Sequence, residues 1–499
     1  MVKKAEDIRI IDMNSTELGL SVHKLMENAG ARAADLILSE YSEAKIFAVC
    51  CGSGNNGGDG FVTTRHLAAA NKKVKLLLVS HPSKIRSSAA KRNFEILKQM
   101  EKTIEISIIN DTSKIKQLKN ELKKVDVIID ALLGIGLSVE PYDPIKSAIL
   151  AINNVKKPVV SLDIPSGMWS DKKKLPDLYV KADKIPTFHD SKPCLEIPEL
   201  KKKTVICSIG VPPEAELFVG KGDLFTTIKT RRDTSHKGEN GMVLLIGGSK
   251  EYSGAPLLTS RAALRTGVDL VLTCVPSSIE KSAQANSPNI IVNACEGDYF
   301  NKKHIPTITE LLYKFDSVII GPGLSQKDEV KEFVLEFIKQ LPDTKPLVID
   351  ADALKAIKDD LSLLTEKNVI ITPHSGEFSM LFGSSPPEKW QKRGSYVNDF
   401  AKKYETCILL KGHYDIIADG KQFKINRTGH PGMTVGGTGD VLAGITGAIF
   451  AQNSKIFRVA CSSAYLAGKA GELAAKDFGN SLLATDVIEK IPEILLKEK

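Results

Sequence analysis

Two glycine-rich segments, one in each half of the chain, carry acidic or amide side chains beside clustered backbone N–H groups. In the first, an apolar β-branched run ends at Cys51 and passes into Gly52-Ser53-Gly54-Asn55-Asn56-Gly57-Gly58-Asp59-Gly60, then into a helical stretch from Phe61 to Ala70. Glycines in a strand-to-helix turn let a ligand approach the backbone and offer amides to a phosphate. Gly52, Gly54 and Gly57 fit the spacing GxGxxG, which is weak by itself. A dinucleotide cofactor would also want Asp or Glu after the next strand, where Leu76 to Val79 instead runs into Ser80, His81 and Pro82. An ordinary hydride-transferring dehydrogenase is disfavoured, and without a following Lys-Ser or Lys-Thr this is not a P-loop.

Two further strand candidates end in carboxylates. Val125 to Ile129 leads to Asp130, Ala131, Leu132, Leu133 and Gly134, and Pro158 to Leu162 leads to Asp163, Ile164, Pro165, Ser166 and Gly167. In open parallel sheets ligands lie beyond the carboxyl ends of the strands, so Asn56, Asp130, Asp163 and Ser166 can share one crevice. Oxygen donors of this kind suit a hard cation, with no His or Cys to favour a transition metal. Taken singly, each residue is equally well a helix or turn cap. Repetition over three loops is what points to a site.

The second segment, Gly436-Gly437-Thr438-Gly439-Asp440, precedes the helical run Val441 to Phe450. Consecutive backbone N–H groups at a helix start stabilise an oxyanion or a transferring phosphoryl group, and Asp440 beside them can act as base for a hydroxyl. Other strand ends of this half carry Gly247-Gly248-Ser249, Gly321-Pro322-Gly323, Asp350-Ala351-Asp352, Thr372-Pro373-His374 and Lys411-Gly412. His374 alone would be a loop histidine and Lys411 alone a surface charge. Their common position after strands joins them to Asp440.

The elements that must position these residues follow a strand–helix alternation throughout, the mark of parallel sheets covered by helices, so the class is α/β. Strands are expected at Lys45–Cys51, Val74–Val79, Val125–Ile129, Pro158–Leu162 and Thr204–Ile209, then at Met242–Ile246, Val268–Val275, Ser317–Ile320, Pro346–Ile349, Val369–Ile371 and Cys407–Leu410. Between the two series lies a Pro- and Gly-containing polar stretch, Val211 to Asn240, which places the domain division at 1–221 and 222–499. A chain of 499 residues exceeds one hydrophobic core, in keeping with two domains.

With 42% hydrophobic and 26% charged residues the chain reads as globular and soluble rather than disordered. There is no apolar run of membrane-spanning length, and the start, Met1 to Ile10, is charged rather than signal-like, so a cytoplasmic protein is expected. The eight cysteines lack metal spacing, and Cys50 and Cys51 should face opposite sides of a strand, which argues against disulfides and zinc. The Lys172–Lys174 and Lys201–Lys203 runs read as solvated loops, and a net charge of +8 without a basic, aromatic-laced stripe argues against nucleic acid.

The segments Asn55–Gly60, Asp130–Gly134, Asp163–Gly167 and Leu25–Gly30 together resemble the NAD(P)H-hydrate epimerase family over roughly residues 5 to 220. That resemblance implies a Rossmann-like fold and a potassium ion held by Asn56, Asp130 and Ser166. Substrate contacts are implied at Asn55, Asn56, Gly57, Gly58 and Asp59, at Gly134, Ile135, Gly136, Leu137, Ser138, Val139 and Glu140, and at Asp163, the favoured acid/base. Ser53 replaces a usual Pro, and Lys192-Pro193-Cys194 a usual Lys-Pro-Gly, which leaves the role of the Phe188–Leu195 loop open.

From about residue 225 to 495, His236-Lys237-Gly238, Tyr252–Pro256, Gly321–Gly323, His374, Gly376, Glu377 and Pro431–Met433 resemble the ribokinase-like superfamily and, more narrowly, the NAD(P)H-hydrate dehydratase family. The implied substrate contacts are Ala255, Gly323, His374 and Asp440, with Asp440 catalytic. Lys411, Gly412, His413, Tyr414, Asp415 and Gly439 would hold ADP or ATP, accompanied by Mg2+. His430 and Val435 depart from the commonest family residues.

The two resemblances fit one task. Hydrated NADH and NADPH (NADHX, NADPHX) carry a C6 hydroxyl in either configuration, a stereospecific dehydratase uses one of them, and an epimerase supplies it from the other. Phosphorylation, with ADP favoured over ATP, would make the hydroxyl a leaving group. Homo-oligomers are expected, with no nucleic-acid or membrane partner. The competing reading is a vitamin or sugar kinase fused to a non-catalytic dinucleotide-binding module, since a Rossmann-like crevice alone proves only binding.

Overall fold

The computed structural model describes residues 2–496. The chain divides into two compact units, one running to Pro213 and the other beginning at Glu214. The segment after Pro213 is tied to the second unit by the backbone of Val219, whose N–H donates to Ile425 O at 2.9 Å, and by Asp223, which pairs with Lys424.

The first unit is built on a five-stranded parallel sheet: β1 (Ile46–Cys51), β2 (Lys73–Leu78), β3 (Ile104–Ile108), β4 (Val127–Ala131) and β5 (Val159–Ser161), in spatial order β3-β2-β1-β4-β5. Both faces are covered. Phe47, Val49 and Cys51 point into one apolar cluster while Ala48 and Cys50 point into the other, so the adjacent cysteines do face opposite ways. All eight cysteines are free thiols. The strand order reverses between β1 and β4, the place where doubly wound sheets open a ligand crevice.

Three features of this unit depart from the sequence reading. Residues 204–209 do not extend the main sheet: β6 (Ile185–Phe188) and β7 (Thr204–Cys207) form a separate two-stranded ribbon. Strand β3 is an edge strand with Glu105 exposed, and its mixed polarity hid it. The segment Asn55–Gly60 is no loop but the opening turns of the helix Asn55–Ala69. Four glycines lower helix propensity there, yet close packing overrides it. A Cβ on Gly57 would lie 2.0 Å from Gly52 O, and one on Gly52 would lie 2.0 Å from Leu132 O. Glycine lets the helix start drop onto the β1 and β4 ends.

The second unit contains a nine-stranded sheet of β8 (Met242–Ile246), β9 (Leu270–Pro276), β10 (Ile291–Cys295), β11 (Ser317–Ile320), β12 (Leu347–Ile349), β13 (Val369–Ile371), β14 (Cys407–Leu410), β15 (Asp415–Ala418) and β16 (Phe423–Asn426). The order is β10-β9-β8-β11-β12-β13-β14-β15-β16, parallel as far as β14 and antiparallel over the last two steps. Alternating residues again feed two cores, Leu244, Ile246, Val318 and Ile320 on one face and Val243, Leu245 and Ile319 on the other. Here the switch point lies between β8 and β11. Beyond it Gly248 N donates to Pro322 O at 2.8 Å, joining the Gly247-Gly248 and Gly321–Gly323 turns.

Candidate active sites

In the first unit, Asp163 follows β5 with φ of 65°, a conformation a non-glycine side chain adopts only under strain. Its Oδ1 accepts from Lys192 Nζ, from Thr187 Oγ1 at 3.2 Å and from Phe188 N at 3.2 Å. Lys192 is 1% exposed, and its ammonium also donates to Thr187 Oγ1 and Phe188 O, both at 2.9 Å. The loop whose role the sequence left open thus delivers a buried cation to Asp163.

Two more carboxyl groups lie in the field of this pair. Asp12, on the helix Ala5–Glu17, has its pKa pushed up to about 7 by burial and then by Asp163, with Lys192 opposing. Burial, with Asp163 and Asp12 adding, raises Asp59 well above the usual carboxylate range. The helix bearing Asp12 is held near the lysine loop, since Lys3 N donates to Ser191 O at 2.9 Å. Sequence reading found Asp163 and Asp59 but missed Asp12 and Lys192. Neither follows a glycine-rich turn, although Asp12 stands at i+4 from buried Ile8, on an otherwise apolar face.

Asn56, Asp130 and Ser166 also meet, on the β4 side. Ser166 Oγ lies 2.6 Å from Asp130 Oδ1 and 3.2 Å from Leu133 O, and Asn56 Nδ2 donates to that same carbonyl at 2.9 Å. Asp130 additionally accepts from Ser161 Oγ, Ser166 N and Leu132 N. Burial raises its pKa and these hydrogen bonds oppose the rise. Asn56 Oδ1, by contrast, is buried without a partner. Of the remaining predicted contacts, Asn55, Gly136, Ser138, Val139 and Glu140 are solvent-exposed, whereas Ile135 packs beside Ile164 and Met168.

In the second unit Lys411, beyond β14, forms a 2.9 Å ion pair with Asp350 and lies 4.0 Å from Glu377. It is thus no surface charge. Asp350 also accepts from Thr372 Oγ1 at 2.7 Å. His374 caps the helix Ser375–Phe382 through Nδ1, with Nε2 3.5 Å from Glu377. Asp440 sits inside the helix Thr438–Gln452, its pKa raised to about 7 by burial and then by Asp350, with Lys411 opposing and Asp352 adding. A Cβ on Gly439 would lie 3.5 Å from Lys411 Nζ, so the glycine loop and the lysine are neighbours.

Gly323, with φ of 67°, brings Ala255 close: a Cβ there would be 3.2 Å from Ala255 Cβ. Ala351, between Asp350 and Asp352, has φ of 51°, so this site too carries backbone strain beside a carboxylate. Asp415 braces its own loop, accepting from Gly412 N and Asn426 Nδ2 at 2.9 Å each, and burial lifts its pKa to about 6.

A Rossmann-like parallel-sheet domain with a carboxylate–lysine crevice, followed by a ribokinase-like domain with an acidic residue in a glycine-loop helix, defines a two-site α/β enzyme. Residues 22–194 match the family model described as YjeF-related protein N-terminus, and residues 243–493 the one described as NAD(P)H-hydrate dehydratase. The bifunctional NAD(P)H-hydrate repair enzyme of Pyrobaculum aerophilum is 39% identical over 492 residues, covering 98% of this chain and 97% of that one. Its counterpart in Methanothermobacter thermautotrophicus is 38% identical over 503 residues, covering 99% and 95%. Among solved structures, a ribokinase-like superfamily protein of Enterococcus faecalis V583 has 25% identity and a TM-score of 0.50, covering 56% of this chain and 95% of that one. The chain belongs to the family of bifunctional NAD(P)H-hydrate repair enzymes. No helix among the described residues is long and apolar enough to cross a membrane.

Proposed function

We propose that the first domain inverts C6 of NADHX and NADPHX at Asp163, and that the second removes water from one epimer after nucleotide-dependent phosphorylation with Asp440 as base. The carrying observation is that each domain gathers its carboxyl groups around one lysine at the strand ends: Asp163, Asp12 and Asp59 around Lys192, and Asp350 and Asp440 around Lys411. Inversion at C6 requires the hydroxyl to leave with a proton and return as water on the opposite face, which calls for one proton donor and one acceptor. Asp12, neutral below about pH 7, suits the donor, and Asp163, oriented by Lys192, the acceptor.

A monovalent cation, potassium by resemblance, fits beside Asn56, Asp130 and Ser166. The unpartnered buried Asn56 Oδ1 supports it, because an orphaned acceptor is costly unless something positive completes it. Such an ion would order the Leu133–Gly134 turn beneath the substrate loop Gly134–Glu140.

In the second domain, the glycine-loop amides and Lys411 would stabilise charge on the transferring phosphoryl group while Asp440 takes the hydroxyl proton. The carboxylates around Asp440 suit Mg2+ arriving with the nucleotide, and ADP is favoured over ATP as phosphoryl donor. Contacts with the hydrated dinucleotide fall to Ala255, Gly323 and His374. The test is to incubate the full chain with mixed epimers and each nucleotide in turn. Recovery of all the reduced cofactor with ADP is expected; recovery of only one epimer would remove the epimerase assignment, and a stable phosphorylated product would make the second domain a simple kinase.

A further inference from the structure

The second domain contains a cavity of about 590 Å³ in which His413 and Tyr414 are the only residues already assigned a role. The opposite wall is the first turn of the helix Trp390–Lys403 with its capping residue Lys389. The Trp390 and Tyr414 rings stand 5.5 Å apart, centroid to centroid, and His413 meets Tyr414 edge-on at 4.6 Å. Lys389, Lys392 and Arg393 gather at this helix start against the single acid Glu388, and the helix dipole adds positive charge. An aromatic wall beside cations and free helix N–H groups fits a ligand with a flat ring at one end and oxyanions at the other.

Arg393 links this cavity to the chemistry. Its Nη2 donates to Ser375 Oγ at 2.9 Å, next to His374, and a Cβ on Gly412 would lie 3.3 Å from its Nη1. The guanidinium therefore lies against the Lys411-Gly412 turn. Its Nε is buried and lacks an acceptor, a donor that a ligand oxygen would complete.

We infer that this cavity receives the adenine nucleotide, with Arg393 contacting a phosphate and Trp390 and Tyr414 forming the wall for the purine. The inference rests on the reading of Lys411–Asp415 as the nucleotide loop and adds the residues that set nucleotide affinity. The chain has two tryptophans, so Trp169→Phe leaves Trp390 as the only indole. In that full-length protein, titration with ADP or ATP should change tryptophan emission and saturate near the nucleotide KM. Trp390→Leu should raise the nucleotide KM about tenfold, as loss of one base-stacking partner does, with the hydrate KM and epimerisation unchanged; Trp390→Phe should recover most of the affinity.

Arg393→Gln should weaken both nucleotide binding and inhibition by inorganic pyrophosphate about tenfold, whereas Trp390→Leu should leave pyrophosphate inhibition unchanged. If the wild-type chain turns over with a nucleotide while Trp390 emission stays silent and both variants keep their nucleotide KM within about twofold, the cavity is not the nucleotide site, although the dehydratase reading stands. If neither nucleotide supports turnover by the wild type, the underlying reading falls and this inference with it.

Discussion

The two domains use the same resource, a lysine near strand ends, in opposite ways. In the first, Lys192 contacts the candidate acid/base Asp163 itself, leaving Asp12 and Asp59 to share the cost of like charge and burial. In the second, Lys411 pairs with Asp350, and it is the candidate base Asp440 whose pKa rises to about 7. Like carboxyl groups close together cannot all ionise at neutral pH, so the placement of one cation decides which stays charged. The first arrangement yields a neutral and a charged carboxyl side by side, suited to moving a proton in and out at one carbon. The second yields a base poised near neutrality, suited to taking a proton once per turnover.

The largest expected effect comes from separating the two. Asp440→Asn should slow nucleotide-dependent dehydration by about 100-fold to 10,000-fold while epimerisation stays within about twofold of wild type. Asp163→Asn should do the converse, read by chiral separation of the epimers. If either substitution silences both reactions, the sites are not independent.

A second break concerns the cation. Lys192→Met leaves Asp163 buried without its partner, and loss of one member of a buried pair costs about 3 kcal/mol, which thermal unfolding of the first domain would register alongside slowed epimerisation. An unchanged melting temperature would mean that the pair contributes little and that Lys192 is dispensable to Asp163.

The comparison is sharpened by pH. Asp12 as donor must be protonated, so epimerisation should fall as pH rises above about 7. Asp440 as base must be ionised, so dehydration should fall as pH drops below about 7. Rate profiles of the two half-reactions on one preparation should therefore slope in opposite directions, by about tenfold per pH unit beyond each midpoint. Asp12→Asn should remove the alkaline limb of epimerisation; a limb that persists takes Asp12 out of the mechanism.

The smallest effect is that of the cation beside Asn56. Potassium at about ten times its dissociation constant should stabilise the first domain by about 1.4 kcal/mol, seen as a rise of a few degrees in its melting temperature, and Asp130→Ala should abolish the rise. Persistence of the shift in that variant would place the ion elsewhere.

Much of this was legible in the sequence because it is local. The alternation of buried strand and helix signals gave the α/β class and most of the parallel strands, since a strand buried on both faces must be a continuous apolar run. The acidic residues after β4 and β5 and in the glycine-loop helix were found because strand ends are where parallel sheets bind ligands, a rule readable along the chain. Edge elements were less legible: β10, β15 and β16, like β3, are short or mixed in polarity. The helical start at Asn55 escaped because glycine propensity argues for a loop, and only contact with Gly52 and Leu132 reverses that preference.

What tertiary structure alone decided is which charges meet. Lys192 lies 29 positions from Asp163 and Lys411 lies 61 from Asp350, separations at which no pattern along the chain pairs one lysine among many with one acid. Asp12 reads in sequence as one more polar residue of a surface helix; its altered protonation comes from burial and from neighbours that folding brings to it. Residue types and strand ends, set by local chemistry, fixed where acids could act, while proton affinity depends on burial and on charges through space and so came only with the fold.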